Sequence, residues 1–401
     1  LVNYRIVRIA GFHFRQLVKD LYMQNPDLGD LSYNDQQEIL FENGYVYSDS
    51  LSKGMRMLGH DAHELIFDME MLQKRWADEN GFQYSSENWK HEILLKQIET
   101  LKPDILYFQD IHSMPHSTRR ELKKNCSGIK LIALFKGFPG SVKSFDELDD
   151  VDVVFAGTPT LARQFKDAGL NTHLIYHCFN SSVLEKVNGK EDGKKLPEYD
   201  FTFTGSSGHG YGGHRGRFWM LVELIKKTDI KLWVDDREDG KIDGIDKLPE
   251  VVREALEKDK AWAASLGEFP MKALKEMYPM RCRPAVFGLD MYRILCGSKV
   301  TLNKDPDALL DCVGNIRIFE ATGVGTCVLT NSGSNMADIF DEDYELVTYA
   351  NVDECIEKLN YLLDNDEARK RIAKAGQIRT LRDHTMFNRC QEINDIFQKM
   401  L

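Results

Sequence analysis

Three short segments hold residue types that can act together chemically. In Asn315–Asn331 (NIRIFEATGVGTCVLTN) a helical stretch carries Arg317 and Glu320, a glycine-containing turn follows, and a buried strand ends at Asn331. Residues three apart share a helix face, so this guanidinium and this carboxylate can project together. Ligands of open α/β sheets settle at strand carboxyl ends, where such a carboxylate can accept both hydroxyls of a ribose diol. The Ser332-Gly333-Ser334 turn that follows can offer amide N–H groups to a diphosphate. The plainer reading is a surface ion pair and an ordinary turn.

The second segment, Thr204–Arg217 (TGSSGHGYGGHRGR), follows a strand-like run, is rich in glycine from Gly205 onward, and delivers His214, Arg215 and Arg217 into the start of a helix. Glycine lets a backbone approach a ligand closely, and arginine forks match phosphate oxygens. Neither standard phosphate-loop fingerprint fits it, and a surface loop is the alternative. The third segment is Phe108–His112 (FQDIH), at the carboxyl end of an apolar run. Asp110 or His112 there can serve as a general base or orient an acceptor hydroxyl, against the alternative of two solvated loop residues. His177, in IYHCF, reads as a hydrogen-bonded core or hinge histidine, and Gly11 as the opening of a loop into a cleft.

Two acidic runs, Asp149-Asp150-Val151-Asp152 and Asp341-Glu342-Asp343, have a spacing that can hold a divalent cation. Both stand at element boundaries, where aspartate is a normal turn and cap residue, so they read as structural and no metal site is expected.

These segments need a scaffold, and the rest of the chain describes one. Compact apolar runs at 4–9, 63–67, 104–108, 130–135 and 152–156 alternate with helical stretches such as Ser48–Leu58 and Trp89–Leu101. That alternation predicts parallel βαβ units. The polar stretch Lys186–Asp200 (KVNGKEDGKKLPEYD) reads as a linker, after which the pattern restarts at 201–205, 231–234, 299–303, 327–330 and 345–349, with helices at Arg215–Lys227 and across Glu367–Leu401. The expected architecture is α/β, with two Rossmann-like doubly wound parallel-sheet domains facing a cleft. We place the first domain at 1–185, the linker at 186–200, the second domain at 201–385, and at 386–401 a terminal helix that packs back on the first domain.

Bulk properties agree. The 401 residues suit two domains. Hydrophobic residues at 42% and charged residues at 29% are a globular composition. A net charge of −11, from 52 basic and 63 acidic residues, argues against nucleic acid as a partner. No run approaches the ~20 apolar residues that span a bilayer. The segment Leu1–Ala10 reads as a strand, not a signal peptide, and the missing initial methionine suggests a trimmed start. Eight cysteines are scattered without a CxxC pair, which favours a reduced, cytoplasmic protein without structural zinc. Peripheral contact with the inner membrane face stays open.

Taken in order, Asn315–Asn331, ADIF at 337–340, ELVTYANVDECIEKL at 345–359, the Asp366–Gln377 stretch and Asp383-His384-Thr385 resemble the C-terminal domain of CgeB-like (spore maturation protein-like) glycosyltransferases, within the group 1 glycosyltransferases of GT-B fold. The resemblance continues upstream through MYRILCGSKVTLN at 291–303 and the glycine-arginine loop, and in the first half through Asp30–Ser50, Leu72–Asn80 and Lys102–Asp110. It implies transfer of a sugar from a nucleoside diphosphate, a UDP-sugar first and a GDP- or dTDP-sugar next, to a glycan, lipid-linked or protein acceptor, without metal or a permanently bound cofactor. Glu320 then matches the glutamate that grips the donor ribose, with Arg317 its neighbour. Arg215, with His214 and Gly205, is placed to face the diphosphate. Asn303 ends the strand before the donor loop, and Ser332 and Gly333 lie beside the leaving group. Many group 1 enzymes carry a second glutamate eight residues earlier; here that place is held by Cys312, beside Asp311. Donor-sugar contacts and stereochemical outcome are left open by that departure. A GT-B sugar-nucleotide epimerase, a non-catalytic sugar-nucleotide or glycan-binding module and a structural coat component are the rival readings.

Overall fold

A computed structural model describes residues 2–12, 15–109, 111–137, 145–188, 198–209, 214–235 and 272–401, without the side chains of 15, 16, 112 and 146. Its frame is two six-stranded sheets. The first is built from β1 (Arg5–Ala10), β2 (Asp61–Ile66), β3 (Ile105–Phe108), β4 (Leu131–Lys136), β5 (Val153–Ala156) and β6 (Thr172–Leu174). The second comprises β7 (Tyr199–Ser206), β8 (Lys231–Asp235), β9 (Cys282–Pro284), β10 (Ser298–Leu302), β11 (Cys327–Asn331) and β12 (Val347–Tyr349). The strand pairings described are parallel throughout. Strands β3 and β5 are buried along their whole length, as apolar runs covered on both faces must be.

The strand orders are β2-β1-β3-β4-β5-β6 and β12-β11-β10-β7-β8-β9. In each sheet the chain winds outward in one direction and then returns to start on the other side, between β1 and β3 and between β7 and β10. Connections there leave in opposite directions from neighbouring strands, opening a crevice at their carboxyl ends. Gly11 and Gln109 border the first crevice, Ser206 and Asn303 the second.

Core clusters cover both faces of each sheet. One face of the first sheet is closed by the far end of the chain: Met386, Cys390, Ile393 and Phe397, on the helix Met386–Met400, pack with Tyr4, Ile6, Leu51 and Phe155. The Tyr4 hydroxyl donates to Asn394 Oδ1 at 2.8 Å, and Val2 N–H to Gln398 Oε1 at 2.7 Å.

The chain therefore crosses between sheets twice, at Phe179 and again at Thr385. The two passages run side by side as a parallel bridge, with Phe179 N–H donating to His384 O at 2.8 Å and Met386 N–H to Phe179 O at 3.0 Å. Cys178 packs in the first core and Phe179 in the second, where Val183 and Val187 also lie. The crossing thus precedes the polar stretch at 186–200, of which 189–197 lie outside the described residues. A polarity signal misses it because this passage is apolar and enclosed by both cores.

Arg389, 5% exposed, secures the hinge by donating through Nε to Tyr176 O at 3.0 Å and through Nη2 to His384 Nδ1 at 2.8 Å. Because guanidinium only donates, His384 Nδ1 must accept, so its proton sits on Nε2, which donates to Ile339 O at 2.8 Å.

Other departures from the expected elements are local. The helix expected at Ser48–Leu58 runs Ser50–Met57, because Ser48 has φ +44° and cannot join it. Strand β6 has only three residues in a half-polar segment and gives no apolar run. Among the described residues, no helix is long and apolar enough to cross a membrane.

Two outcomes are expected. A Cβ at Gly323 would sit 2.5 Å from the Phe179 ring, so Gly323→Ala should lower stability by about 1–3 kcal/mol, read by urea unfolding. Burial first, then the Arg389 charge, holds His384 down at about 4 against an ordinary 6.5. The unfolded chain then binds the proton first, so stability is complete above about 6.5 and declines as pH falls toward about 4. His384→Gln should flatten part of that decline in unfolding midpoints measured across this window.

Candidate functional site

The crevice between β7 and β10 is assembled by buried polar groups. Gly205 ends the apolar part of β7 with φ +148°, and Gly208 turns the chain at φ +86°. A Cβ on Gly208 would lie 2.4 Å from His214 O, so only glycine lets this loop close on the start of the helix Arg215–Lys227. His214 is the N-cap of that helix and Arg215 its first residue; residues 210–213 lie outside the described set.

Arg217 points inward and is 7% exposed. Its Nε and Nη2 donate to Lys304 O at 3.1 and 2.6 Å, and its Nη1 to Ser206 O at 3.3 Å, joining the loop after β7 to the loop after β10. Burial lowers its pKa to about 10, with Asp305 and Asp307 opposing the fall. Breaking a buried, compensated charge costs about 3–5 kcal/mol, so Arg217 is a clamp on the crevice wall. The Gly216 N–H at the helix start is likewise engaged, donating to Asp307 Oδ2 at 2.7 Å.

Beyond β10, Asn303 is 2% exposed and its amide donates to Asp305 Oδ2 at 3.0 Å and Thr330 Oγ1 at 2.8 Å. Its carbonyl accepts from Tyr349 Oη at 2.9 Å. These bonds fasten β10 to its neighbours and leave Asn303 little surface. Asp305, 1% exposed, is the residue that sequence reasoning missed: its Oδ1 accepts the N–H groups of Gly314 and Asn315 at 3.0 and 2.9 Å. Burial pushes this carboxyl up, against the two amides, Lys304 and Arg217. A carboxylate two residues past the apolar run, in NKDPD, was the available signal.

Asp305 thereby sets the entry to the helix Ile316–Gly323, whose N-cap Asn315 accepts from Arg317 N–H at 3.0 Å. On this helix Arg317 Nη1 meets Glu320 Oε2 at 2.6 Å, and Tyr292 Oη donates to Glu320 Oε1 at 3.2 Å. Glu320 is 4% exposed, so this is no surface ion pair. Arg317 also touches Met291 Sδ, while its Nε is buried without a hydrogen-bond partner. An unpaired guanidinium N–H beside a carboxylate with one donor on each oxygen is capacity held in reserve.

The first domain faces this pair. Burial, and after it the Glu320 charge, pushes the Tyr45 phenol up; Glu320 also acts among the causes that raise Tyr47. Tyr47 Oη lies 2.5 Å from His177 Nδ1, and burial lowers His177 to about 4. Asn43 O accepts from Leu289 N–H at 2.8 Å across the same divide. Cys312 also sits between domains, its Sγ 3.1 Å from Thr160 Oγ1.

The Ser332-Gly333-Ser334 turn is more closed than expected. Ser332 Oγ donates to the Glu342 carboxylate at 3.1 Å, and Ser334 N–H donates to Asp311 O at 2.7 Å. A Cβ at Gly333 would lie 2.8 Å from that same carbonyl. Ser334 N–H is therefore already used, and the helix that follows, Met336–Ile339, has four residues. In the first domain, Asp110 lies outside the described residues; His112 falls in the turn Ile111–Ser113, its side chain not described. Gln109, next to Asp110, lines a cavity of about 170 Å³ with Gly11, Phe12 and Tyr45 at the carboxyl ends of β1 and β3.

The acidic runs are occupied by protein partners. Asp150 pairs with Arg119 through two bonds of 2.8 and 3.0 Å, Asp152 with Lys123 at 2.6 Å, and Asp149 with His116 at 2.5 Å. Glu342 accepts from Thr348 Oγ1 at 2.7 Å as well as from Ser332.

Comparison with known proteins bears on this arrangement. No curated protein matches the sequence. A glycosyltransferase from Rickettsia africae ESF-5 superposes over 100% of this chain and 99% of its own, at 11% identity and a TM-score of 0.54. HepE from Anabaena, solved with UDP and glucose, covers 99% of this chain and 100% of its own at 11% identity, with a TM-score of 0.57. Sucrose-phosphate synthase from Thermosynechococcus elongatus covers 99% and 98% at 10% identity, with a TM-score of 0.54. Such low identities speak for the fold, which is GT-B: two Rossmann-like domains facing a cleft. Residues 249–395, which include Asp305, Arg317 and Glu320, match the family model described as glycosyl transferase-like.

Proposed function

We propose that this protein is a glycosyltransferase that moves a sugar from a nucleoside-diphosphate sugar, a UDP-sugar first, to a hydroxyl of a glycan, lipid-linked or protein acceptor. The observation that carries this is the buried Arg317–Glu320 pair, held at the carboxyl end of the second sheet, with the Glu320 charge felt by Tyr45 and Tyr47 of the opposite domain. Each Glu320 oxygen has one donor and retains a lone pair for a ribose hydroxyl, and Arg317 Nε is available to an anionic or hydroxylic group. The family match covers this helix. The preference for uridine follows solved neighbours: HepE was crystallised with UDP and with UDP-glucose, and an α-glucosyltransferase of TM-score 0.55 with UDP-glucose.

In the reaction, the bond from the anomeric carbon to the terminal phosphate oxygen breaks with its electron pair going to the diphosphate. The acceptor oxygen bonds to that carbon and gives up its proton. Arg215, with His214, is assigned to the growing charge on the diphosphate. Asp110 or His112, across the cleft, is assigned to the acceptor hydroxyl. Domain closure excludes water that would otherwise hydrolyse the donor.

Calorimetric titration with UDP, GDP, dTDP, ADP and CMP, first in EDTA and then with Mg²⁺, tests this function. UDP should bind in EDTA. Loss of charged hydrogen bonds is worth about 1.5–3 kcal/mol, so Glu320→Ala should weaken UDP by about ten- to a hundred-fold. Arg215→Ala should lower turnover more than it lowers unfolding midpoints. A folded protein that binds none of these nucleotides would overturn the proposal.

A further inference from the structure

A cavity in the first domain lies along the open edge of β2, and sugar transfer as assigned to the cleft does not use it. It encloses about 620 Å³ between β2 and the helices Tyr33–Glu42, Ser50–Met57, Glu70–Glu79 and Trp89–Leu101. That volume falls in the ~300–1,000 Å³ range of small-molecule sites.

One wall residue is left incomplete. Gln97 is 1% exposed, and its Oε1 has no hydrogen-bond partner. Its Nε2 reaches Tyr33 Oη only at 3.5 Å, while Gln37 Nε2 already donates to that hydroxyl at 3.1 Å. Rotating the Gln97 amide would let Oε1 take the Tyr33 proton but would strand Nε2. Either way one amide atom of this wall residue is unmet, and an unmet buried polar atom costs about 1–3 kcal/mol.

Charge narrows the choice. Carboxylates outnumber cationic side chains on the wall. Lys53 is paired with Asp49 at 2.9 Å, Lys186 lies 3.9 Å from Glu42, and Arg56 donates to Ala62 O at 2.6 Å. Glu64 and Glu79 are paired in turn with Arg8 and Arg75, each at 2.9 Å, so a phosphate, a nucleotide or a sulfated ligand would meet compensated charge and have to displace an existing pair. A neutral polyol would not: its hydroxyls can donate to carboxylates such as Glu38 and to Gln97 Oε1, while its C–H faces lie on Trp76, which also lines the cavity. The cavity adjoins the smaller one at Gln109, sharing Phe41, Glu64 and Leu65 with it.

We propose that this cavity is a saccharide-binding subsite for neutral sugar units of an extended glycan acceptor, set apart from the transfer centre. Its role as an acceptor subsite rests on the proposed transfer activity; saccharide binding in itself does not. The full chain is titrated calorimetrically, without nucleotide, with malto-, cello-, manno- and chitotetraose and with the corresponding disaccharides. At least one tetraose should bind more tightly than its disaccharide. Gln97→Leu and Trp76→Ala should each weaken it by about tenfold or more. Glu38→Ala, at an exposed rim position, should weaken it without changing the unfolding midpoint. If no tetraose binds, or all three variants bind as the wild type does, the subsite is wrong. UDP is titrated into the same samples: UDP binding without saccharide binding sinks the subsite alone, and saccharide binding without UDP binding sinks the transfer activity alone.

Discussion

Everything in this molecule that faces the cleft hangs from one constraint, the side-by-side passage of the chain at Phe179 and Thr385. Two backbone hydrogen bonds join the passages, Arg389 and His384 brace them from within, and Gly323 allows the helix bearing Arg317 and Glu320 to press onto the Phe179 ring. A single covalent linker would let the two sheets swing widely. Two passages bonded to each other restrict relative motion to a bend about their common line, so contacts across the divide, such as Tyr45 on Phe287 and Leu289 N–H on Asn43 O, recur in a repeatable way. Position of the site and mobility of the domains are thus properties of one small cluster.

Within the second domain, the crevice is shaped by charges that never reach its surface. Arg217 and Asp305 are both nearly fully buried, and each is compensated by backbone groups rather than by a single opposite charge. Carbonyls on Arg217 and amides on Asp305 fix loop positions to within a hydrogen-bond length, which an apolar contact would not. Residues nearer the cleft, such as Glu320, inherit their placement from these two. That division between clamps and contacts is why two arginines so close in sequence, Arg215 and Arg217, lie in different surroundings.

Much of the architecture was readable from apolar runs alone, since a short run bounded by turn residues, as at β3 and β5, marks a strand buried on both faces. What escaped was short or half polar: β6 with three residues, and the crossing at Phe179, which an apolar segment conceals from any search for linkers. At the site, the Arg317 and Glu320 pairing followed from helix periodicity, yet its burial did not, because burial comes from residues distant in sequence such as Tyr292. The turn at Ser332–Ser334 was read as open because sequence cannot show that Asp311, on the far side of a helix and a strand, already takes the Ser334 N–H. Asp305 was passed over for the same reason, its partners being backbone amides with no side-chain signature.

The helix Met386–Met400 carries an apolar face that is completed only by Tyr4, Leu51 and Phe155 from the opposite end of the chain. A fragment severed in the polar stretch after the first sheet would keep that helix and lose its partners, and its counterpart would expose the matching groove. The two halves are therefore not separable modules, as their mirrored sheets suggest, but one cooperative unit: heat or denaturant should take them apart together, and each half in isolation should seek the other.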